Sequence, residues 1–313
     1  MLVRMAAIRT HSLPAQGSLW RTQELLDLGV GKRSIAALVA AGTLVRLRQG
    51  CYIRGSVWMK QSPRVRNLQL IHAHAHGTRT TSSGGARYSH TSGARLRGLY
   101  LWNVDNRIHL TQRTRPSGDC HGRDVVCHTA DVAEADRAVV SGLPTTTLER
   151  TTVDCGLLLP YRQALILVDH ALRLGADRTT LDAAAAGLDG RRGIRNLRRV
   201  LAAADPSSES PGETLTRDLI ARLRIPAPEP QVEVMTRRGR YRMDFAWKQR
   251  KVALEFDGKN KYFDYRPTDQ VLFEERQREK ALTEDGWTVI RIEWKDLFRE
   301  QEFRNRLLQA LGG

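Results

Sequence analysis

The sequence has few cysteines, few aromatic residues and no long apolar run. It holds 4 cysteines in 313 residues, none in a CxxC pair, and its aromatic content is 6%. A disulfide framework therefore has little support, and we expect the cysteines to be reduced thiols in the protein core. No run of about 18 apolar residues occurs, and the N-terminal stretch lacks the apolar segment of a secretory signal. We predict a cytoplasmic protein with no membrane partner.

Length and composition place the chain among multidomain globular proteins. At about 100–200 residues per domain, two or three domains are expected, and 41% hydrophobic with 27% charged residues suits packed cores. The predicted fold class combines α+β and α/β domains. The predicted domains are a winged helix-turn-helix (residues 1–63), a mixed, mainly helical middle domain (64–206) and a C-terminal αβββαβ core (207–313).

Positive charge is concentrated at the front of the chain. The net charge is +16, and residues 1–80 hold 12 Lys and Arg against 2 Asp and Glu, whereas residues 207–313 hold 21 against 19. A concentrated positive field favours a polyanion, and nucleic acid is the first candidate. We therefore expect DNA as a partner.

Residues 18–53 have the pattern of two short helices followed by a β-hairpin. Ser18 would cap the first helix, which continues through Trp20, and glycines end both helices. An alternating segment then turns at Gln49-Gly50 and returns, which completes a winged helix-turn-helix. Such modules bind either DNA or another protein, and the charge favours DNA. The residues expected to contact DNA lie at the start of the second helix and on the wing: Lys32, Arg33, Ser34, Arg46 and Arg48.

The stretch from Trp20 to Ile53, with LVRLRQGCYI after the helix-turn-helix, resembles the N-terminal winged-helix domain of AbiEi-type antitoxins. These are the DNA-binding half of type IV toxin-antitoxin systems. SHTSGARLRGL and GLPTTTLERTTVDC resemble segments that follow the winged helix in actinobacterial proteins of this type. The resemblance implies autoregulatory DNA binding and a cognate toxin as a possible partner.

The middle of the chain shows a helical pattern and several polar groups. Helices are predicted at 64–76, 91–97, 147–158, 161–174, 179–187 and 193–204. The last of them is basic and either touches phosphate or is a solvated face. The residues after it, Asp205-Pro206-Ser207-Ser208, are typical of a linker.

Three groups in the middle suggest other chemistry: the HxHxH run at His72, His74 and His76, the pair Ser89-His90, and the pairs Cys120-His121 and Cys127-His128. On a helix only the outer two histidines of the run share a face, and no third ligand is evident. Adjacent residues do not readily form a nucleophile–base pair, and a serine often begins a helix. The two Cys-His pairs do not have the form of known zinc signatures. A structural interpretation is favoured in each case.

Acidic residues interrupt two apolar strands at the rear. Asp244 lies within YRMDFAW, and Glu255 and Asp257 lie within KVALEFDG. With a two-residue turn at Gln249-Arg250, Asp244 lies directly opposite Glu255, with Cβ atoms about 5 Å apart. Asp257 shares the face of Glu255 because side chains alternate along a strand. Either the acids are paired with Arg242 or Arg291, or they converge on a divalent cation.

Oxygen ligands suit Mg²⁺ or Mn²⁺, and such an ion lowers the pKa of bound water and polarises a phosphodiester. We therefore interpret Asp244, Glu255 and Asp257 as candidate metal ligands. Lysines after the strand, Lys259 and Lys261, would orient the water or stabilise charge in the transition state. Further cations expected to contact nucleic acid share a face of the next helix: Arg276 and Lys280.

The rear pattern resembles the PD-(D/E)XK nuclease superfamily, and within it the Vsr-like endonuclease-related domains. The motifs are Asp244, Glu255-Phe256-Asp257-Gly258, the basic helix and Gly286-Trp287. The resemblance implies a restriction-endonuclease-like core with Asp244 and Glu255 as metal ligands. The family's lysine two residues after the second acid is replaced here by Asp257, so a nearby lysine must substitute or activity is lost. Glu213 is either the family's helix glutamate or part of a capping box with Ser210.

Two functions from different classes follow. The first is a DNA-binding, cation-dependent endonuclease in a defence or toxin-antitoxin system. The second is a transcriptional regulator or antitoxin whose nuclease fold is inactive. RNA is a third, weaker candidate for the substrate.

Overall fold

A computed structural model describes residues 19–77, 85–114, 122–236, 239–258 and 269–312, with the side chains of 269–276 left aside. The chain divides into two compact units: residues 1–99 with 104–151, and residues 100–103 with 152–313. Both units combine helices with β-sheets, so the protein is a mixed α+β protein. The three-domain division stays a prediction.

The first unit contains β1 (Trp20–Arg21), α1 (Thr22–Asp27), α2 (Lys32–Ala40), β2 (Leu44–Arg48), β3 (Cys51–Arg54), α3 (Gly55–Lys60), α4 (Pro63–Gly77), β4 (Arg87–Tyr88), α5 (His90–Leu96), β5 (Ile108–Gln112), β6 (Val125–Thr129), β7 (Arg137–Val140) and β8 (Leu143–Thr146). Helix α6 (Leu148–Leu158) includes the boundary between the units. The second unit continues with α7 (Tyr161–Arg173), α8 (Arg178–Ala186), α9 (Ile194–Ala203), α10 (Pro211–Arg222), β9 (Glu229–Thr236), β10 (Gly239–Trp247), β11 (Val252–Phe256), α11 (Asp269–Glu284), β12 (Thr288–Ile292) and α12 (Glu300–Leu311).

The first unit begins with two short helices and a hairpin, but its first helix begins later than predicted. Trp20 and Arg21 form a strand that pairs with Tyr52 and Cys51, and the sheet order is β1-β3-β2. Trp20 is buried with the apolar faces of α1 and α2. The strand pairing provides hydrogen bonds to the backbone of this segment while the Trp20 indole is buried. It therefore outweighs the preference for a helix that the apolar spacing indicated. The predicted cap, Ser18, lies outside the described residues.

The helices predicted in the middle of the chain are confirmed to within one residue at each end. A five-stranded sheet of order β6-β5-β4-β8-β7 lies among them and was not predicted. Its strands are short, and β4 has only 2 residues. Strand β5 is buried along its whole length and includes His109, Thr111 and Gln112, so it shows no alternation of apolar and polar residues.

The connection predicted as a linker is packed in the second unit. The buried Asp169 carboxylate of α7 accepts hydrogen bonds from Asp205 N (2.9 Å) and from Thr214 Oγ1 (2.8 Å) of α10. It also pairs with Arg217 at 2.7 Å, and Ser208 is buried. A buried carboxylate needs such partners, and here they hold residues 205–208 against the helices.

The rear sheet has the order β12-β11-β10-β9, with β11 and β12 parallel and the other pairs antiparallel. Phe245 pairs with Leu254 and Trp247 with Val252, which is the predicted register, and the ladder ends at Phe245 and Leu254, next to Asp244 and Glu255. The loop is longer than the predicted two residues, but it keeps the same centre and therefore the same register. Helices α10 and α12 pack their apolar faces against this sheet.

Two absences expected from the sequence concern membranes and disulfides. No helix in the described part of the chain has both the length and the apolar content to span a bilayer. Cys51 and Cys155 are buried and Cys127 is half-buried, and none of these three forms a disulfide within the described residues. Burial raises the pKa of Cys51 to about 11, which makes it an unreactive core residue.

Candidate active site and nucleic-acid interface

Helix α2 presents two cations at its N-terminal end. Lys32 and Arg33 are exposed, Ser34 is half-buried, and the first turn contains no acidic residue. Ile35 and Leu38 are buried and fix which face of the helix meets the core. The helix dipole makes this end electropositive, so two cations here are unfavourable unless an anion binds nearby.

The two arginines predicted on one face of the wing have different surroundings. Arg46 is exposed, but the register of β2 and β3 shifts between Arg46 and Arg48. Arg48 forms an ion pair with Asp124, and its side chain is 16% exposed. The shared face was therefore a wrong expectation, because the bulge interrupts the alternation on which it rested. Arg46 keeps the exposure that a phosphate contact requires.

Asp244 lies where the ladder between β10 and β11 ends. Its Oδ2 accepts a hydrogen bond of 2.8 Å from Phe256 N, which continues the pairing with a side chain in place of a backbone carbonyl. The carboxylate is thereby fixed beside the carboxyl end of β11.

Glu213 is brought to the same place by helix α10. A Cβ on Gly212 would lie 2.0 Å from the Phe256 ring, so the glycine allows the helix to approach β11 closely. Glu213 Oε2 accepts hydrogen bonds from Glu209 N (2.8 Å) and Gln231 Nε2 (2.9 Å). Burial raises the pKa of Glu213 above its ordinary value, and the charge of Asp244 adds to this.

Glu213 takes part in one half of the predicted capping box. Ser210 Oγ caps the helix by accepting a hydrogen bond of 3.2 Å from Glu213 N. The Glu213 carboxylate, however, accepts from Glu209 N and Gln231 and comes within electrostatic range of Asp244. The backbone of Glu213 is therefore part of the helix cap, whereas its side chain faces an acid of the sheet.

Glu255 is held by two arginines. Its Oε1 lies 2.5 Å from a guanidinium nitrogen of Arg278 in α11, and its Oε2 lies 3.7 Å from Arg291 Nε on the neighbouring strand. Its side chain is 14% exposed, so these pairs are largely shielded from water. The expected pairing with Arg291 is present, whereas Arg242 pairs with Glu209 instead.

Of the remaining predicted residues, only Asp257 and Lys280 have described side chains. Asp257 continues the sheet, since its N donates to Ile292 O at 2.8 Å, and its side chain is half-buried. Lys280 is exposed and lies 3.8 Å from Glu284. Lys259 and Lys261 lie outside the described residues, as does the side chain of Arg276.

The three carboxylates of the rear strands do not converge as closely as expected. Among the described residues, Asp244, Glu255 and Asp257 do not form a group with all ligand atoms within 4.8 Å of one another. The physical reason lies in Arg278 and Arg291, which neutralise Glu255 and hold its oxygens. A cation at this place would compete with arginine for Glu255.

Sequence reasoning missed Arg278 and Gln231. Arg278 lies between Arg276 and Lys280, and the expected helix face passed over it. The sequence feature that could have indicated Arg278 was Glu255 within an apolar strand, because a largely buried carboxylate requires a cationic partner. Gln231 was not among the predicted site residues, and in β9 it has a φ of 50°.

Comparisons with known proteins give relatives without an assigned activity. No family model matches the chain. Two uncharacterized proteins of Mycobacterium tuberculosis, MT2308 (strain CDC 1551 / Oshkosh) and Rv2248 (strain ATCC 25618 / H37Rv), are each 31% identical over 163 residues. The match covers 51% of this chain and 59% of each relative, so the chain spans about three fifths of their length.

One solved structure, that of the RV2827C protein from Mycobacterium tuberculosis, is similar over 64% of this chain and 75% of that chain. The identity is 16% and the TM-score 0.38. Similarity at this level defines neither a shared fold nor a shared activity.

Proposed function

We propose that the protein binds DNA through a winged helix at its front and cleaves phosphodiester bonds with a cation-dependent, PD-(D/E)XK-type domain at its rear. The observation that carries the proposal is the register of β10 and β11: Phe245 pairs with Leu254, so the next residue on each strand, Asp244 and Glu255, lies at the same end of the ladder. Glu213, which is buried, adds a third carboxyl group near Asp244. The front resembles AbiEi-type antitoxins, which favours a role in a defence or toxin-antitoxin system.

Two features of the acids suit a divalent cation. Carboxylate oxygens are the ligands that Mg²⁺ and Mn²⁺ prefer. The raised pKa of Glu213 reflects burial and the nearby Asp244, and a bound cation would relieve that cost. Asp244 and Glu255 would hold the ion, with Asp257 at the end of the same strand as the third candidate. The ion would activate a water molecule and polarise the phosphodiester.

The chain's own residues would prepare this site. Phe256 N orients the Asp244 carboxylate, and Gln231 orients that of Glu213. Lys259 or Lys261 is proposed to stabilise the charge that develops on the phosphate. At the front, Lys32 and Arg33 would bind phosphate groups, which position the duplex but do not read its sequence.

A second function, DNA binding without cleavage, is favoured by one specific observation. Arg278 and Arg291 already neutralise Glu255, so this carboxylate needs no metal ion. Asp257 also stands where the superfamily has its lysine. In this case the rear domain contributes binding or a structural role only.

Nicking of supercoiled DNA by the purified full chain separates the two functions. We expect nicking with Mg²⁺ or Mn²⁺, slowed at least about a hundredfold in Asp244→Asn and in Glu255→Gln, since each loses a metal ligand. The control Glu302→Gln removes an exposed carboxylate from the same unit and should nick at the wild-type rate. Equal rates in all variants would indicate a contaminating nuclease. DNA binding by the wild type without nicking would favour the second function.

A further inference from the structure

Three histidines meet on the five-stranded sheet of the first unit, whereas the proposed nuclease residues belong to the second. Among the described residues, His90, His109 and His128 form a group whose ligand nitrogens all lie within 4.8 Å of one another. His109 Nδ1 is 2.9 Å from His128 Nε2, and the rings of His90 and His128 are stacked with centroids 3.6 Å apart. These contacts involve three separate elements of the chain.

The sheet register brings the three side chains together. His128 in β6 pairs with Thr111 of the parallel strand β5, two residues along from His109 and therefore on its face. His90 begins α5 with a φ of 47°, a left-handed conformation that is uncommon for a residue with a side chain. Residues held in such conformations cluster at functional sites, where surrounding structure maintains them.

Hydrogen bonds fix the orientation of His90. Its Nδ1 lies 2.9 Å from Ser89 Oγ, which in turn accepts a hydrogen bond of 2.7 Å from Thr111 Oγ1. Ser89 is the residue before α5, as predicted, but its side chain makes no cap hydrogen bond to the helix. The Ser89 hydroxyl is instead within hydrogen-bond distance of the His90 imidazole. Metal-bound histidines typically have their second nitrogen fixed in this way.

Burial favours the neutral form of the imidazoles, which is the form that binds metals. Burial lowers the pKa of His90 well below its ordinary value and that of His109 to about 4. His128 lowers both pKa values further, and His109 also lowers that of His90. Two nearby arginines have acidic partners: Arg150 pairs with Asp136 at 2.9 Å and Arg107 with Asp105 at 2.7 Å. The added repulsion toward a cation is therefore partly cancelled.

We propose that His90, His109 and His128 bind a divalent transition-metal ion of the zinc type. Imidazole nitrogens suit Zn²⁺, whereas Mg²⁺ requires oxygen ligands. In a tetrahedral site with bonds of about 2.0–2.1 Å, ligand nitrogens lie roughly 3.3 Å apart. His109 Nδ1 and His128 Nε2 would therefore separate by a few tenths of an ångström as the ion replaces the proton between them, and the stacked His90 ring would turn toward the ion.

A metal ion bound by the three histidines would have its fourth coordination position open to solvent. His109 is buried, but His90 and His128 are half-buried, so the group lies at the edge of the core. Three protein ligands and one water are the arrangement of catalytic zinc sites, whereas structural sites use four protein ligands.

Binding of Co²⁺ and Zn²⁺ to the metal-free full chain tests this site. All proteins carry Asp244→Asn and Glu255→Gln, so that the rear carboxylates do not compete. We expect one Co²⁺ per chain with visible d–d absorption, displaced by Zn²⁺. Both His109→Asn and the half-buried His128→Asn should lose the absorption, with circular dichroism showing that each variant is folded. Ser89→Ala should weaken Co²⁺ binding about tenfold, because it removes the group that orients His90.

The control His72→Asn changes a histidine of α4 that is outside the group, and it should bind Co²⁺ like the parent. The proposal is overturned if the parent chain gives no d–d absorption, or if folded His128→Asn binds Co²⁺ with the parent's affinity. In either case the histidines form a hydrogen-bonded cluster without a metal.

Discussion

The front and the rear of the chain treat charge in opposite ways. At the start of α2, Lys32 and Arg33 are exposed at the end of a helix whose first turn has no acid. In the rear sheet, Glu255 is nearly buried and lies between Arg278 and Arg291. The front thus presents charge that an external anion can neutralise, whereas much of the charge at the rear is neutralised within the protein. An ion that binds at the rear must displace an internal partner.

The histidine group limits the repulsion between neighbouring ionisable groups in a third way. Its members avoid mutual repulsion by remaining neutral, and burial with proximity enforces this. Among the acids, Glu255 is neutralised by arginines, whereas burial raises the pKa of Glu213 and the charge of Asp244 adds to this. Neutral imidazoles bind an ion such as Zn²⁺ without first losing a salt bridge. Because imidazole nitrogens suit Zn²⁺ and carboxylate oxygens suit Mg²⁺ or Mn²⁺, the two candidate metal sites favour different ions.

The largest effect is expected when one of the two arginines that neutralise Glu255 is removed. Arg278→Ala leaves Glu255 with the more distant Arg291 and should lower the free energy of unfolding by about 2 kcal/mol. Added Mn²⁺ should stabilise this variant more than the wild type, because Glu255 is released for the ion. Urea unfolding followed by tryptophan fluorescence measures both effects.

The exposed Arg304 of α12 provides a control for Arg278. Arg304→Ala removes the same charge from the same unit and should change stability by no more than about 0.5 kcal/mol. If Arg278→Ala is equally mild, the rear acids do not depend on internal compensation, and the contrast with the front disappears.

A smaller effect is expected at the front. Arg33→Ala should weaken duplex binding about tenfold, or about 1.4 kcal/mol, because one exposed cation at the helix end is lost. The slope of log affinity against log salt should fall by about 1. A gel-shift titration at several salt concentrations measures both. Arg304→Ala should leave binding unchanged, and unaltered affinity in Arg33→Ala would exclude this helix end as a DNA contact.

Local sequence patterns predicted much of the fold. The helices of the middle region followed from apolar spacing, and the register of β10 with β11 followed from the assumed centre of the turn between them. The five-stranded sheet did not, because the pairing of the short β4 with β8 depends on contacts between residues far apart in sequence. Trp20 joined a strand for the same reason, since its partner Tyr52 lies beyond two helices.

The candidate sites were less predictable than the fold. The sequence identified acids in apolar strands, but it could not show that Arg278 reaches Glu255, because this depends on the position of a helix in space. The same limit applies to Arg48, whose partner Asp124 belongs to another part of the unit. His90, His109 and His128 follow one another at intervals of 19 residues, and only the folded sheet makes them neighbours.

The proposed cleavage depends on a divalent cation held by the rear carboxylates, and direct Mn²⁺ binding measures this property. Isothermal titration of the metal-free full chain carrying His109→Asn removes competition from the histidine group. We predict one Mn²⁺ per chain, lost when Asp244→Asn or Glu255→Gln is added and retained with Glu302→Gln. Equal Mn²⁺ binding in all four proteins, or none in the first, would contradict the claim.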